Sequence, residues 1–247
     1  MTISTFYPPD SDNDGSMKAY EGNSQTWDFM RDHAGLWSTD NEEENSQLTA
    51  FIGWAVNGSS NAAWDRMHRT IMIFDTSSIP DGDEMHEATL SIWLFEPSGW
   101  DAGAYNAGSW STAQKSIVLT QGTTASDTAV AAGDYDAIKG ATKWSSGFDM
   151  TFDTNANPSA SGGWSDNSYS ELDLNATGLS NVSKTGVTKI AVQSEADVDD
   201  DPPSITGGTN RQVLAIFEAI DSDDSSSKGP KLVVRHGVDF IPRVIMF

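Results

Sequence analysis

The residues whose types and spacing speak most directly to chemistry are Asp10-Ser11-Asp12-Asn13-Asp14-Gly15, with Glu21 at the twelfth position counted from Asp10. Alternate carboxylates can surround one hard cation, a glycine at the sixth position makes the sharp bend, and a glutamate at the twelfth closes the oxygen shell. The pattern is that of a calcium loop. Two features oppose it: Pro8 and Pro9 preclude an entering helix, and Lys18 stands at the ninth position, where an oxygen ligand is usual. The plain alternative is an exposed acidic turn. A second cluster, Asp197, Asp199, Asp200 and Asp201 before Pro202, also needs solvent or a cation to relieve its repulsion. Asp197 and Asp199 are its candidate calcium ligands, although a solvated acidic loop is the simpler reading. Asp221, Asp223 and Asp224 form a third such cluster.

Aromatic rings supply the second candidate chemistry. Trp100, Tyr105 and Trp110 lie in one glycine-rich stretch, and Trp144, Trp164 and Tyr169 flank another. Exposed rings on the loops of a β-sandwich stack against the C–H faces of sugars. Trp100, Tyr105, Trp110 and Trp164 are therefore candidate glycan contacts. The simpler reading, which is preferred, is that these rings pack the loops onto the sandwich or onto a neighbouring subunit.

Catalysis draws little from the sequence. His33, His68, His86 and His236 are scattered, with neither an HExxH pair nor a nucleophile elbow around them. The expectation is a protein that is not an enzyme.

Charge narrows the partners. The chain has 36 acidic residues against 14 basic ones, a formal net charge of -22 over 247 residues. A nucleic-acid backbone demands a basic patch, so that class is excluded. Acidity on this scale suits divalent cations, or a salty medium in which self-repulsion is screened. The chain has no cysteine, which removes disulfides and thiolate metal sites. No apolar run is long enough to span a membrane. The opening residues MTISTFYPPDSDNDG carry neither a basic region nor an apolar run, so no signal peptide is expected.

The elements that must hold these residues are strands. In residues 85–95, Ala88, Leu90, Ile92 and Leu94 fall on one face and Thr89, Ser91, Trp93 and Phe95 on the other, the period of a half-buried strand. Residues 69–75 are apolar on both faces, as a central strand covered on both sides would be. Between them, Ser-Ser-Ile-Pro-Asp-Gly turns the chain at Pro80 and Gly82. Further strands are expected at 3–7, 25–30, 47–56, 115–121, 148–153, 169–174, 188–194, 212–219 and 230–236. A helical turn is expected at 134–139, and one short helix capped by Asn175 runs to Lys184. Ten to twelve strands with turn signals between them, and no βαβ alternation, predict an all-β fold. The expected architecture is a jelly-roll sandwich of two antiparallel sheets with long loops, formed by a single domain over residues 1–237.

Several of these segments together resemble a known family. Arg69 followed by IMIFDTSSIPDG and then HEATLSIWLF resembles the R-x-L-x-F-D-x-S-S-I-P…A-T-L-x-L core of DNRLRE-type domains. YSELDLNATGL, KTGVTKIAVQSEADVD and GPKLVVRH resemble their closing half, and FYPPDSD fits their opening. The resemblance implies a jelly roll akin to carbohydrate-binding modules, of the kind also found in structural proteins of tailed phages. It implies a protein made in the host cytoplasm and carried on the virion surface, as a head decoration, turret or fibre component. Its expected partners are other virion proteins and copies of itself. The alternative expectation is an adhesin module that binds host-surface glycans.

The last ten residues, 238–247 (VDFIPRVIMF), continue past the closing strand. Ile241, Val244, Ile245, Met246 and Phe247 would be a liability in water. The expectation is a tail that docks on another subunit, with an added strand on its own sheet as the alternative.

Overall fold

The computed structural model describes residues 1–35, 37–39, 47–54, 64–94, 103–105, 110–150, 168–204, 211–219 and 228–237. The strands in chain order are β1 (Thr2–Phe6), β2 (Asp14–Gln25), β3 (Trp37–Thr39), β4 (Gln47–Trp54), β5 (Trp64–Asp75), β6 (Met85–Leu94) and β7 (Gly103–Tyr105). They continue as β8 (Ser116–Gln121), β9 (Phe148–Asp149), β10 (Ser168–Asp173), β11 (Val187–Ser194), β12 (Arg211–Glu218) and β13 (Lys231–His236). Four short helices punctuate them: α1 (Trp27–Arg31), α2 (Asp134–Ala137), α3 (Ala176–Ser180) and α4 (Glu195–Asp199).

The fold is the all-β sandwich of two antiparallel sheets that the sequence predicts. One sheet runs β1-β13-β6-β10; the other runs β9-β8-β11-β5, with β2 on the far edge of β5. The near edge of β5 is shared, with β11 opposite Thr70 to Asp75 and β4 opposite Arg66 to His68. β12 joins the sheets at one side: it pairs with β4 along its whole length and touches β6 at Phe217↔Leu94. Strands β5 and β6, consecutive in the chain, belong to different sheets, so the Pro80 turn carries the chain across the sandwich. The same crossing occurs between β1 and β2 and between β10 and β11. Consecutive strands that alternate between sheets in this way wind a jelly roll.

The period of two in the sequence is the sidedness of β6. Ala88, Leu90, Ile92 and Leu94 are buried, and they meet Leu232 and Val234 of β13. The apolar-on-both-faces reading of residues 69–75 also holds. Ile71, Met72, Ile73 and Phe74 are all fully buried, in a strand with neighbours on both edges.

Several stretches depart from expectation, among them β2, β3 and β7, which are strands where none was expected. Residues 25–30, expected as a strand, form α1, because Thr26 caps it by accepting from the backbone N–H of Phe29 (3.2 Å). Trp27, Met30 and Arg31, spaced three and four apart, give that helix one buried side. Residues 195–199, expected as part of an acidic loop, form α4, which Asp200 ends in the left-handed conformation at φ 55°. Asn175 caps α3 as expected, through Gly178 N–H (2.9 Å), although the helix stops at Ser180. Among the described residues, no helix is long and apolar enough to cross a membrane.

Candidate binding face

Strands β1, β13, β6 and β10 turn one side inward and present the other to solvent. On the outer side the register sets the side chains in rows. Tyr169 lies opposite Trp93, Glu171 opposite Ser91, and Asp173 opposite Thr89. Across the other edge of β6, Lys231 faces Ser91, Val233 faces Thr89 and Arg235 faces Glu87. The rows through Ser91 and Thr89 thus cross three strands at about 4.8 Å per step. The rows hold an open depression of about 210 Å³, lined by Glu87, Thr89, Ser91, Glu171, Val233 and Arg235 among others. Its size and openness suit part of an extended chain better than a swallowed small molecule, which wants a deeper pocket.

Two aromatic rings close one end. Trp93 and Tyr169 meet edge to face, with ring centroids 5.3 Å apart. Lys231 Nζ lies 3.9 Å from the Tyr169 centroid, and Lys228 Nζ lies 5.4 Å from that of Trp93. Tyr169 Oη donates to the Gly229 carbonyl (3.0 Å). Burial, and then the neighbouring Tyr7 phenol, raise the Tyr169 pKa above its ordinary value, which keeps that donor protonated. Beyond the rings, Thr89 Oγ1 donates to Asp173 (2.7 Å) and Arg235 pairs with Glu87 (3.1 Å). The face therefore combines ring surface, hydroxyl, carboxylate and cation within a few strand widths. Those are the groups that grip a polyhydroxylated chain by stacking and by hydrogen bonding.

The acidic and aromatic candidates fall differently. Asp10 caps a single turn at Ser11–Asn13 by accepting from Asp12 N–H (3.1 Å), and Asp14 already opens β2. Glu21 sits seven residues further along that extended strand, roughly 20 Å from Asp14 at the rise of a strand. The pattern that looks like one loop is thus pulled apart by the strand it runs into. Among the described residues no group of three or more acidic or histidine side chains is placed to hold a metal.

Asp197 is engaged elsewhere. It is 1 % exposed, and Arg69, 0 % exposed, grips both its oxygens: Nε to Oδ2 at 2.7 Å and Nη2 to Oδ1 at 2.9 Å. Arg31 Nε adds a third bond to Oδ1 (3.2 Å), and its Nη1 reaches Asp200 (2.7 Å). Arg69 also donates to the Tyr135 carbonyl (2.7 Å) and lies 4.1 Å over the Tyr135 ring. Burial by itself would lower the Arg69 pKa, but Asp197 outweighs it and holds the guanidinium charged. Tyr135 is pushed well up by burial, so its hydroxyl stays a donor to the Met30 carbonyl (2.9 Å). Asp199 is bound as well, to Lys143 (2.6 Å), which also holds Glu195 (2.8 Å). Asp197 and Asp199, the second pair of candidate calcium ligands, take part in an ionic clasp that fastens α4 and α1 to β5.

Trp110 is buried rather than presented. Its indole donates to the Ser204 carbonyl (3.1 Å), and its ring follows Trp27 and Trp64 in a row with centroid spacings of 4.7 and 6.3 Å. Tyr105 lies in β7, whose backbone pairs with Gln212 to Leu214 of β12. Trp100, Trp164 and the tail residues Ile241, Val244, Ile245, Met246 and Phe247 lie outside the described residues. Trp93, which the aromatic pattern of the sequence does not single out, and Tyr169, which flanks the second glycine-rich stretch, both sit on strands. The alternation around Trp93 already placed it outward, and that was the signal available.

One further cluster has the outward look of chemistry. Ser4 Oγ lies 2.8 Å from His236 Nε2, and His236 Nδ1 lies 2.7 Å from Asp83. The order of groups is that of a nucleophile, base and orienting acid. Ser4, however, stands in a regular strand beside the buried Phe6, on the inward side between exposed Ile3 and Thr5. The hydrogen bonds tie β1 to β13 and to the turn before β6.

No protein-family model matches the chain, and no curated protein matches it significantly.

Proposed function

We propose that this chain is a non-enzymatic structural protein displayed on the surface of a tailed virus particle. The observation that carries the reading is where its ionisable groups go. Four of the buried ones, Arg69, Arg31, Asp197 and His236, are spent on fastening elements to one another. The resemblance to DNRLRE-type domains in phage structural proteins, together with the apolar residues 238–247, supplies the particle context. Truncation after Gly237 is expected to abolish incorporation into particles while leaving a folded sandwich, read by sedimenting particles and probing for the protein. Normal incorporation of the truncated chain would overturn the docking role of the tail.

A second reading is favoured by the outer face of β1-β13-β6-β10. There the aromatic pair and the polar rows support recognition of host-surface glycans, on the strands instead of the loops. On a glycan array the full chain is expected to select one group of saccharides, and Trp93→Ala is expected to weaken that binding about tenfold, the scale of one stacking contact. Trp110→Ala is expected to lower the melting temperature instead. An array signal that survives Trp93→Ala and Tyr169→Ala would remove this face from consideration.

A further inference from the structure

We infer that β1 is an exchangeable strand, and that the partner it fits is the β13 edge of a second copy of this chain. The inference goes beyond the display reading and does not depend on it. Three observations carry it. First, β1 is held lightly. Of its five residues only Phe6 is buried, at 8 %, while Ile3 is 69 % exposed. Second, among the described residues β1 pairs with β13 alone, over Thr2↔His236 to Phe6↔Leu232, and nothing covers its other edge. Third, the joint behind it is Pro8-Pro9, after which β2 enters the opposite sheet. Neither proline offers an amide hydrogen, and their fixed φ stiffens the joint, although Pro8 is itself buried and the chain bends at Pro9. A short, stiff joint between an end strand and the body is a place at which an identical element can be exchanged between protomers, a low-cost route to a dimer.

The bonds β1 makes are as available from a neighbour as from its own chain. The ladder to β13 is a main-chain one, and the specific side-chain latch is Ser4 onto His236, with Asp83 orienting the imidazole from behind. All three groups are supplied in the same geometry when β1 of one copy lies on β13 of the next. Phe6 fills the same place beside Leu232 in either case. Exchange conserves every contact and costs only the lost freedom of joining two chains. Copies held close together, as on a crowded surface, recover that cost.

The absence of native cysteine makes the test direct. Thr5 and Val233 are register partners on the outer side of the sheet, within the distance a disulfide spans. Thr5→Cys and Val233→Cys chains are made separately, mixed at high concentration and oxidised gently. A mixed disulfide of doubled mass, absent when either variant is oxidised with wild type, is the expected product. Ser4→Ala is expected to speed its appearance severalfold by removing the latch. The Thr5→Cys/Val233→Cys double variant controls for geometry by closing its bond within one chain. If the double variant closes and the mixture stays monomeric over days, β1 does not exchange and the inference falls.

Discussion

Asp197→Ala is expected to cost about 3–5 kcal/mol of folding stability, a large part of the 5–15 kcal/mol typical of a domain. The reason is not the loss of a favourable ion pair, since a buried pair only roughly repays its desolvation. It is that Arg69, fully buried, would keep its charge after losing the carboxylate that pairs with it, with Asp136 acting on it only weakly. Arg31 would retain Asp200 and suffer less. Equilibrium denaturation in urea measures the loss as a lower midpoint with an unchanged slope. Replacing both ends together, Arg69→Met with Asp197→Leu, is expected to recover most of it, because apolar residues of similar volume can replace a buried pair without penalty. A double variant as unstable as Asp197→Ala would show that packing around α4, not the orphaned charge, sets the cost.

His68 predicts the second large effect, and its sign follows from its surroundings. The ring is on β5, opposite Lys18 of β2 and Phe51 of β4. Burial, then Lys18 and Arg66, push its pKa down to about 3, against an ordinary value of 6.5. The folded state thus takes up this proton far less readily than the unfolded chain. The stability it contributes is complete above about pH 6.5 and is lost progressively as pH falls toward 3. Between pH 7 and pH 5 the loss amounts to about 2 kcal/mol, at 1.36 kcal/mol per pH unit below the unfolded value. His68→Asn has no such proton to bind. Its urea midpoint should fall less over that interval than the wild type's, and identical pH dependence in the two proteins would contradict the assignment.

These two residues also mark what the sequence makes legible. Arg69 heads the segment whose apolar pattern announces a central strand, and its burial follows from that pattern. Its partner is invisible in one dimension, because Asp197 stands 128 positions away in a run of carboxylates that reads as a solvated loop. Local chemistry could have corrected the run: Glu195 and Asp197 put acid in the first turn of a helix, where the backbone favours it. The same limit governed the aspartates at 10–14. A ligand pattern counts positions along the chain, and those positions are not neighbours in space by spacing alone once one side of it is a strand. Trp93 and Tyr169 illustrate the converse case. Each could be assigned a face by period alone, but that they face each other depends on β10 pairing with β6, which no local pattern encodes.

The pairing of β1 with β13 has a bearing on how the protein is made. Ser4 and His236, bonded in the finished sheet, are 232 residues apart in the chain. Closing so long a loop is slow, and a sheet whose outer strands come from distant parts of the chain has a high contact order. During synthesis β1 leaves the ribosome well before any of the strands of its own sheet, and it waits for the one that completes it.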